Sequence, residues 1–199
     1  MNEKIRCSWA GNTIIYINYH DNEWGRPVHD DVKSFEMLTL ESMQAGLSWL
    51  TVLKKRAAFR EAFDGFDPNK VALYGDTKVQ GLMVNEKIIR NRLKINAVII
   101  NARVFLNVIE KHGSFDKFIW KYVDYIPVTG HWKKHEELPA TTSLSDIISR
   151  DLKKMGFKFV GSTTIYSFMQ AIGMVNDHLM DCFVYEEILN GQPHNWKSL

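Results

Sequence analysis

Apolar positions recur at three- and four-residue intervals along most of the chain, and polar caps and glycines punctuate them. Asp30 and Asp31 predict the start of a helix over 32–46, and Ser48 the start of another over 48–63 that closes near Gly65. Asp67 and Pro68 open a short helix, with proline at a first-turn position where its missing N–H costs nothing. Asp76 caps a further one reaching Met83. Over 90–111, Leu93, Val98, Ile99, Ala102, Leu106 and Ile109 hold helical spacing until Gly113 stops it, and Ser114 restarts the chain toward Tyr122. Two more helices are expected over 145–155 and 162–174. The loop over 126–139, with Pro127, Gly130 and Pro139, is the clearest hinge or linker. No repeat, low-complexity tract or alternating strand pattern occurs. The expectation is an all-α protein: one unit over 1–185, two helical lobes around a cleft, and a flexible tail over 186–199 with Gly191 and Pro193.

Composition narrows this little. At 199 residues with 45% hydrophobic content the chain can bury one substantial core, and no stretch is long and apolar enough to span a membrane. The formal charge of +2 neither requires nor opposes a nucleic-acid partner. Basic blocks at 54–56, 90–94 and 150–158 read singly as solvated helix faces and together as a plausible phosphate-binding surface. Aromatic side chains matter more, because Trp9, Tyr16, Tyr19, Trp24, Phe35 and Trp49 crowd the first quarter. That bulk serves a core, or a pocket for a planar ligand.

The only two cysteines, Cys7 and Cys182, stand near opposite ends of the chain, each accompanied by a histidine, His20 and His178. His178 and Cys182 are four apart and would share one face of a helix. Together the four make a Cys2His2 set suited to tetrahedral zinc, which would leave no position for water and act as a staple between the termini. Two alternatives stand beside it: buried small hydrophobes, and a disulfide, for which no signal peptide suggests the oxidising compartment it needs. A cytoplasmic location follows from the same absence.

Glu41 is the other anomaly. Its helix is apolar on most sides, and Met37, Leu38 and Ala45 flank it at helical spacing, with Gln44 the one polar neighbour. An ionised carboxylate there costs several kcal/mol unless something pairs with it. The partner is either an internal Arg or Lys, or a ligand bearing positive charge and N–H donors. Aromatic faces attract cations and stack on flat rings, so aromatic walls with one carboxylate suit a planar cationic heterocycle such as an alkylated purine.

The runs at 16–25 (YINYHDNEWG), 40–49 (LESMQAGLSW), 156–161 (GFKFVG), 166–170 (YSFMQ) and 175–178 (VNDH) resemble the Tag-type 3-methyladenine DNA glycosylase I family, and the likeness spans 7–183. The resemblance implies an all-α helix-hairpin-helix glycosylase fold and a structural zinc at Cys7, His20, His178 and Cys182. It also implies a base pocket of Tyr16, Tyr19, Trp24, Glu41 and Trp49, with Glu41 the catalytic carboxylate, and Gly46 and Leu47 entering the DNA where the base has left. Double-stranded alkylated DNA and the 3-methyladenine base would be its partners, and a monomer fits. One departure stands out: the hairpin at 84–88 carries no glycine, and its Glu86 opposes a phosphate, leaving Lys87, Arg90 and Arg92 to compensate.

A minimal mechanism is expected: extrusion, selection and attack by water, because 93–109 contains no acid to serve as a dedicated base. Three rivals remain at this stage. One is a glycosylase/lyase using Lys87 or Lys94, another a lesion-binding module without turnover, and the last a zinc hydrolase or deaminase, whose signature is absent.

Overall fold

The computed structural model describes residues 4–191 and the backbone of Lys197–Ser198. The expected all-α architecture is what forms. Among the described residues ten α-helices occur, besides short 3-10 turns: α1 (Ile14–Asn22), α2 (Asp31–Gln44), α3 (Trp49–Ala62), α4 (Pro68–Val71), α5 (Asp76–Val84), α6 (Arg92–His112), α7 (Phe115–Trp120), α8 (Ser143–Met155), α9 (Ser162–Ala171) and α10 (Phe183–Asn190). The caps read from sequence do their work. Asp30 accepts from the Lys33 amide, Ser48 from Thr51, Asp67 from Asn69 and Ser114 from Lys117, and Gly113 closes α6 in the left-handed region at φ 87°. For α5 the cap is Gly75, so Asp76 sits one position inside.

The centre of the molecule is α2. Every residue from Ser34 to Met43 is buried, because α3, α6, α7 and α9 pack around it. An all-round buried helix is what its nearly continuous apolar surface requires. It also means that Glu36 and Glu41 are inside the protein, at 4% and 5% exposure. The fate of these two acids decides the site.

Four expectations need correction. The helix α1 was not anticipated, since its apolar residues are spread around its axis and Ile14 stays exposed. The stretch over 126–139 is not a hinge. Its strand β1 (Val128–Thr129) pairs in parallel with β2 (Val175–Asn176) and with β3 (Lys197–Ser198), and the Trp132 indole donates to Asp177 at 2.7 Å. The tail does not begin at 186: α10 runs on to Asn190, held by buried Val184, Tyr185 and Ile188, while 192–196 and 199 lie outside the described residues. Finally, α9 stops at Ala171 rather than near Met174, because Gly173 turns left-handed at φ 71°.

Gly173 also sets how closely the 25–28 segment approaches α9. A Cβ built there would lie 2.2 Å from the Arg26 carbonyl carbon and 2.4 Å from the Pro27 nitrogen, both backbone atoms that cannot step aside. Two backbone hydrogen bonds, Gly25 N–H to Gln170 O and Val28 N–H to Ile172 O, hold the same approach. Gly173→Ala should therefore cost about 1–2 kcal/mol from the left-handed penalty alone, with the clash added. An unchanged urea midpoint for that variant would refute the reading.

Candidate active site and metal centre

A cavity of about 400 Å³ opens between α1, the C-terminal half of α2, the start of α3 and α9. It brings together all five residues expected for a base pocket: Tyr16, Tyr19, Trp24, Glu41 and Trp49. The rings brace one another edge-on and leave the space open. Trp9 meets Trp24 at 5.0 Å and 79°, and Tyr16 at 5.7 Å and 89°, while Tyr19 meets Trp49 at 5.3 Å and 57°. Such packing supports a planar guest between aromatic walls.

Glu41 and Glu36 share a helix and meet opposite fates. Glu36 receives Arg56 Nε at 2.8 Å and Arg60 Nε at 2.7 Å, with the Lys33 ammonium at 3.4 Å. Burial raises its pKa, but those hydrogen bonds and charges outweigh it and hold the carboxyl at about 2. Glu41 has no ion pair or hydrogen bond among the described residues, and burial alone pushes its pKa to about 8. Arg56 is committed elsewhere: it makes a two-pronged contact with Glu23 at 2.8 Å per arm besides its bond to Glu36. An internal Arg or Lys partner, the bland reading of Glu41, is thus absent among the described residues.

Two more polar groups of the cavity wait without partners. The Tyr19 hydroxyl and the Trp49 indole N–H are both buried, and neither has a hydrogen-bond partner among the described residues. Burial, followed by the charge of Glu41, drives the Tyr19 pKa upward, so its phenol stays a donor. An aromatic cavity holding one unpaired carboxylate and two unpaired donors has the chemistry that a polar, flat guest would satisfy.

Behind this wall, Cys7, His20, His178 and Cys182 converge, fully buried, with their four ligand atoms within 4.8 Å of one another. Cys7 Sγ and Cys182 Sγ each lie 3.6 Å from His178 Nδ1, and Cys182 Sγ lies 3.5 Å from His20 Nε2. Zinc–sulfur bonds of about 2.3 Å and zinc–nitrogen bonds of about 2.0 Å at tetrahedral angles set S and N about 3.5 Å apart, so the donor set fits such a metal. The rear ring nitrogens are already oriented: His20 Nδ1 faces Asp21 at 2.8 Å, and His178 Nε2 donates to the Trp24 carbonyl at 2.9 Å. Both thiols are free, with no disulfide between them. His178 and Cys182 do not share a helix face. They flank a turn before α10, closed by the Cys182 amide on the Leu179 carbonyl, and this turn lets both reach the N-terminal arm.

Comparison with known proteins agrees with this geometry. The methyladenine glycosylase family profile matches residues 9–185. The chain belongs to the methyladenine glycosylase family, Tag type. It is 49% identical over 180 residues to DNA-3-methyladenine glycosylase 1 of Escherichia coli strain K12, covering 90% of this chain and 96% of that one. It is 47% identical over 178 residues to the DNA-3-methyladenine glycosylase of Haemophilus influenzae, covering 89% and 96%. Among solved structures, a tyrosine-to-phenylalanine variant of 3-methyladenine DNA glycosylase I in complex with 3-methyladenine superposes with a TM-score of 0.89 at 37% identity, covering 96% of this chain and 99% of that one. As a member of this family the protein is a monofunctional glycosylase, a hydrolase of N-glycosyl bonds.

Of the residues expected to meet DNA, Gly46 and Leu47 line a smaller adjoining pocket that shares Glu41 and Gln44 with the cavity, while Lys87, Arg90 and Arg92 line neither. Gly46, left-handed at φ 78° with nothing within 4 Å of a Cβ, and Leu47, 41% exposed, form the break between α2 and α3. Lys94 secures that break: its buried ammonium donates to Met43 O at 2.8 Å and Ala45 O at 2.6 Å, satisfying the last carbonyls of α2. That commitment, rather than a free amine, is what α6 offers at this position.

Lys87, Arg90 and Arg92 are exposed on the connection between α5 and α6. The turn needs no glycine, since no residue there has a positive φ. Instead the Asn85 carboxamide accepts the Lys87 amide at 3.0 Å, and Lys55 from α3 donates to the Glu86 and Lys87 carbonyls at 3.1 Å each. Arg90 faces Glu86 at 3.4 Å, so one of the three basic groups is partly neutralised. Trp9, Gln44, Ser167, Gln170 and the 135–139 stretch also line the cavity and were not assigned to it from sequence. Trp9 stood in the aromatic cluster and Gln170 in a family run, while His135 and Pro139 carried no signal, because only the packing of the 126–139 stretch against β2 and Asp177 brings them to the cavity wall.

Proposed function

We propose that this glycosylase turns 3-methyladenine out of alkylated double-stranded DNA, hydrolyses its N-glycosyl bond and leaves an abasic site. One observation carries the proposal: Glu41 is buried in an aromatic cavity with no internal cation to balance it. The relative captured with 3-methyladenine supports the same ligand class.

Methylation at N3 makes the base cationic, a better leaving group and a weaker pairing partner, so extrusion costs less than for adenine. Trp49, Trp24 and the tyrosines stack on the ring, and Glu41 accepts from the exocyclic amine and balances the charge. Adenine brings the same amine without the charge and loses both advantages. Tight hold on the cation alone would stabilise the ground state. The sugar cation formed as the bond breaks is met by the DNA's own phosphates, since 93–109 of α6 holds no acid. Gly46 and Leu47 occupy the gap in the stack, and Lys87, Arg90 and Arg92 contact the phosphates.

The cluster Cys7, His20, His178 and Cys182 would hold one structural zinc, which with four protein ligands supplies no activated water. These residues tie the N-terminal arm to the turn before α10. The unit over 1–185 then works as two helical lobes around the cavity, with α10 sealing the back. The same reading has the protein act as a monomer in the cytoplasm.

The test is to incubate the protein with methylated DNA and identify the released bases. Free 3-methyladenine, with no borohydride-trapped protein–DNA adduct, is the expected result. Lesion binding without release, at enzyme excess in a single turnover, would instead mark a module without catalysis.

A further inference from the structure

Outside the residues already discussed, the best-organised polar group near the cavity is Asp177. It is 1% exposed and lies between β2 and the cluster residue His178. Three donors converge on it: Trp132 Nε1 on Oδ1 at 2.7 Å, and on Oδ2 the Tyr166 hydroxyl at 2.6 Å and Gln170 Nε2 at 2.7 Å. No basic side chain shares the site among these contacts. Burial, and then the charge of Asp177, drive the Tyr166 pKa upward, which keeps its phenol protonated and donating.

A carboxylate accepting three donors can only accept, so it fixes which end of the Gln170 amide faces it. The nitrogen must point at Asp177. The oxygen therefore lies on the other side of the amide, on a residue that lines the cavity, and no donor of the protein reaches it among the described residues. The backbone of Gln170 is held as well, since its carbonyl accepts from the amides of Gly25 and Gly173. The helices α2 and α9 pack side by side, so Glu41 and Gln170 belong to adjoining walls of one cavity.

We propose that Gln170 Oε1 is a second acceptor for the exocyclic amine of the bound base, and that Asp177 is the positioning residue that sets its direction. The assignment rests on reading the cavity as a methylated-base site. An exocyclic amine carries two protons, and one acceptor per proton, Glu41 and Gln170, reads it completely. With Glu41 ionised, a base with a carbonyl at that position meets two acceptors and is rejected, which extends selection beyond charge. Asp177 exerts this control without touching the base. Through Trp132 it also anchors the stretch that brings His135, Leu138 and Pro139 to the cavity wall.

The amine is present both in the ground state and in the transition state, so the contact contributes uniform binding. The full chain should be compared as wild type, Gln170→Met, Asp177→Asn and the double variant. The two readouts are affinity for free 3-methyladenine and single-turnover excision from methylated DNA. Gln170→Met should weaken base binding and raise the half-saturating DNA concentration about tenfold, with the maximal rate within twofold. Asp177→Asn lets the Gln170 amide turn over and should give a loss of similar size. The double variant should be no worse than Gln170→Met alone, because the second change acts through the first.

Wild-type behaviour in Gln170→Met, additive losses in the double variant, or a fall in maximal rate with unchanged half-saturation would each overturn the assignment. A wild-type protein that neither binds nor releases 3-methyladenine overturns the reading of the cavity itself, a different and visible failure.

Discussion

Glu41→Gln is expected to slow excision of 3-methyladenine by about 10- to 100-fold while making the protein more stable at pH 8. The two effects share one cause. Glu41 titrates at about 8 in the folded protein against 4.5 for an exposed carboxyl, and burial is the reason. Below pH 4.5 the group is neutral whether folded or unfolded, and pH leaves stability alone. As pH rises from 4.5 through about 8 the unfolded chain gives up its proton first, so stability falls, and it levels off above that window. The slope is about 1.4 kcal/mol per pH unit, which makes the whole window worth several kcal/mol at most. Glutamine cannot ionise and removes the slope.

Excision should show the complementary profile. The methylated base in DNA is a permanent cation, so it binds better as Glu41 ionises, and at subsaturating DNA the wild-type rate should climb through about pH 8 and flatten above it. The rate of Glu41→Gln should be low and flat. Thermal unfolding at pH 5 and pH 8, beside single-turnover excision at both, checks the pair. Equal excision by the variant would remove Glu41 from the reaction, and a loss of stability at pH 8 would show that its charge has an internal partner. A group that costs stability and sits in a cavity is held there for what it does to a ligand.

Metal removal should act oppositely, on the fold before the chemistry. Cys182→Ser is expected to take bound zinc from one per chain to none and to cost about 3–5 kcal/mol, on the order of 10 °C in unfolding temperature. That is less than an isolated zinc finger loses, since the core around α2 does not depend on the cluster. The loss should fall first on the contact between the N-terminal arm and the turn before α10, where Leu179 N–H donates to Cys7 Sγ at 3.3 Å and Phe183 N–H to Ile5 O at 3.0 Å. Metal analysis of protein purified without chelators, with unfolding of wild type and variant side by side, reads both numbers. Protein that carries no zinc, or that unfolds at the same temperature after the change, would remove the staple. Glu41→Gln should keep its full zinc content, because the cavity and the cluster share a wall but no ligand.

Much of the candidate site was legible in the chain because it rests on residue types that have few other uses. Two cysteines and two histidines placed near opposite ends invite a metal, and a glutamate flanked by Met37, Leu38 and Ala45 invites a ligand. The helix ends were legible too, because a cap is a local transaction: Asp30 reaches Lys33 and Ser48 reaches Thr51 within three residues. The hairpin misled for the same local reason. A missing glycine suggested a damaged turn, yet Asn85 supplies the bond to Lys87 and the distant Lys55 covers the carbonyls, so no left-handed residue is needed.

The chain alone determined most of the helices, several of their caps, the family and the residue types of both clusters, all of which follow from local hydrogen bonding, apolar periodicity and rare side chains. Only the tertiary structure decided which of two acids on one helix is neutralised. Glu36 and Glu41 are five residues apart on one helix, and although Lys33 one turn before Glu36 offers it a local cation, nothing local says that Arg56 and Arg60 will also reach it and leave Glu41 facing a cavity. The stretch that brings His135 and Pro139 to the cavity wall, the turn that replaces a helix between His178 and Cys182, and the three-donor hold on Asp177 belong to the same class. Each depends on groups brought together from distant parts of the chain, and the energy of such contacts exists only once the fold has placed them.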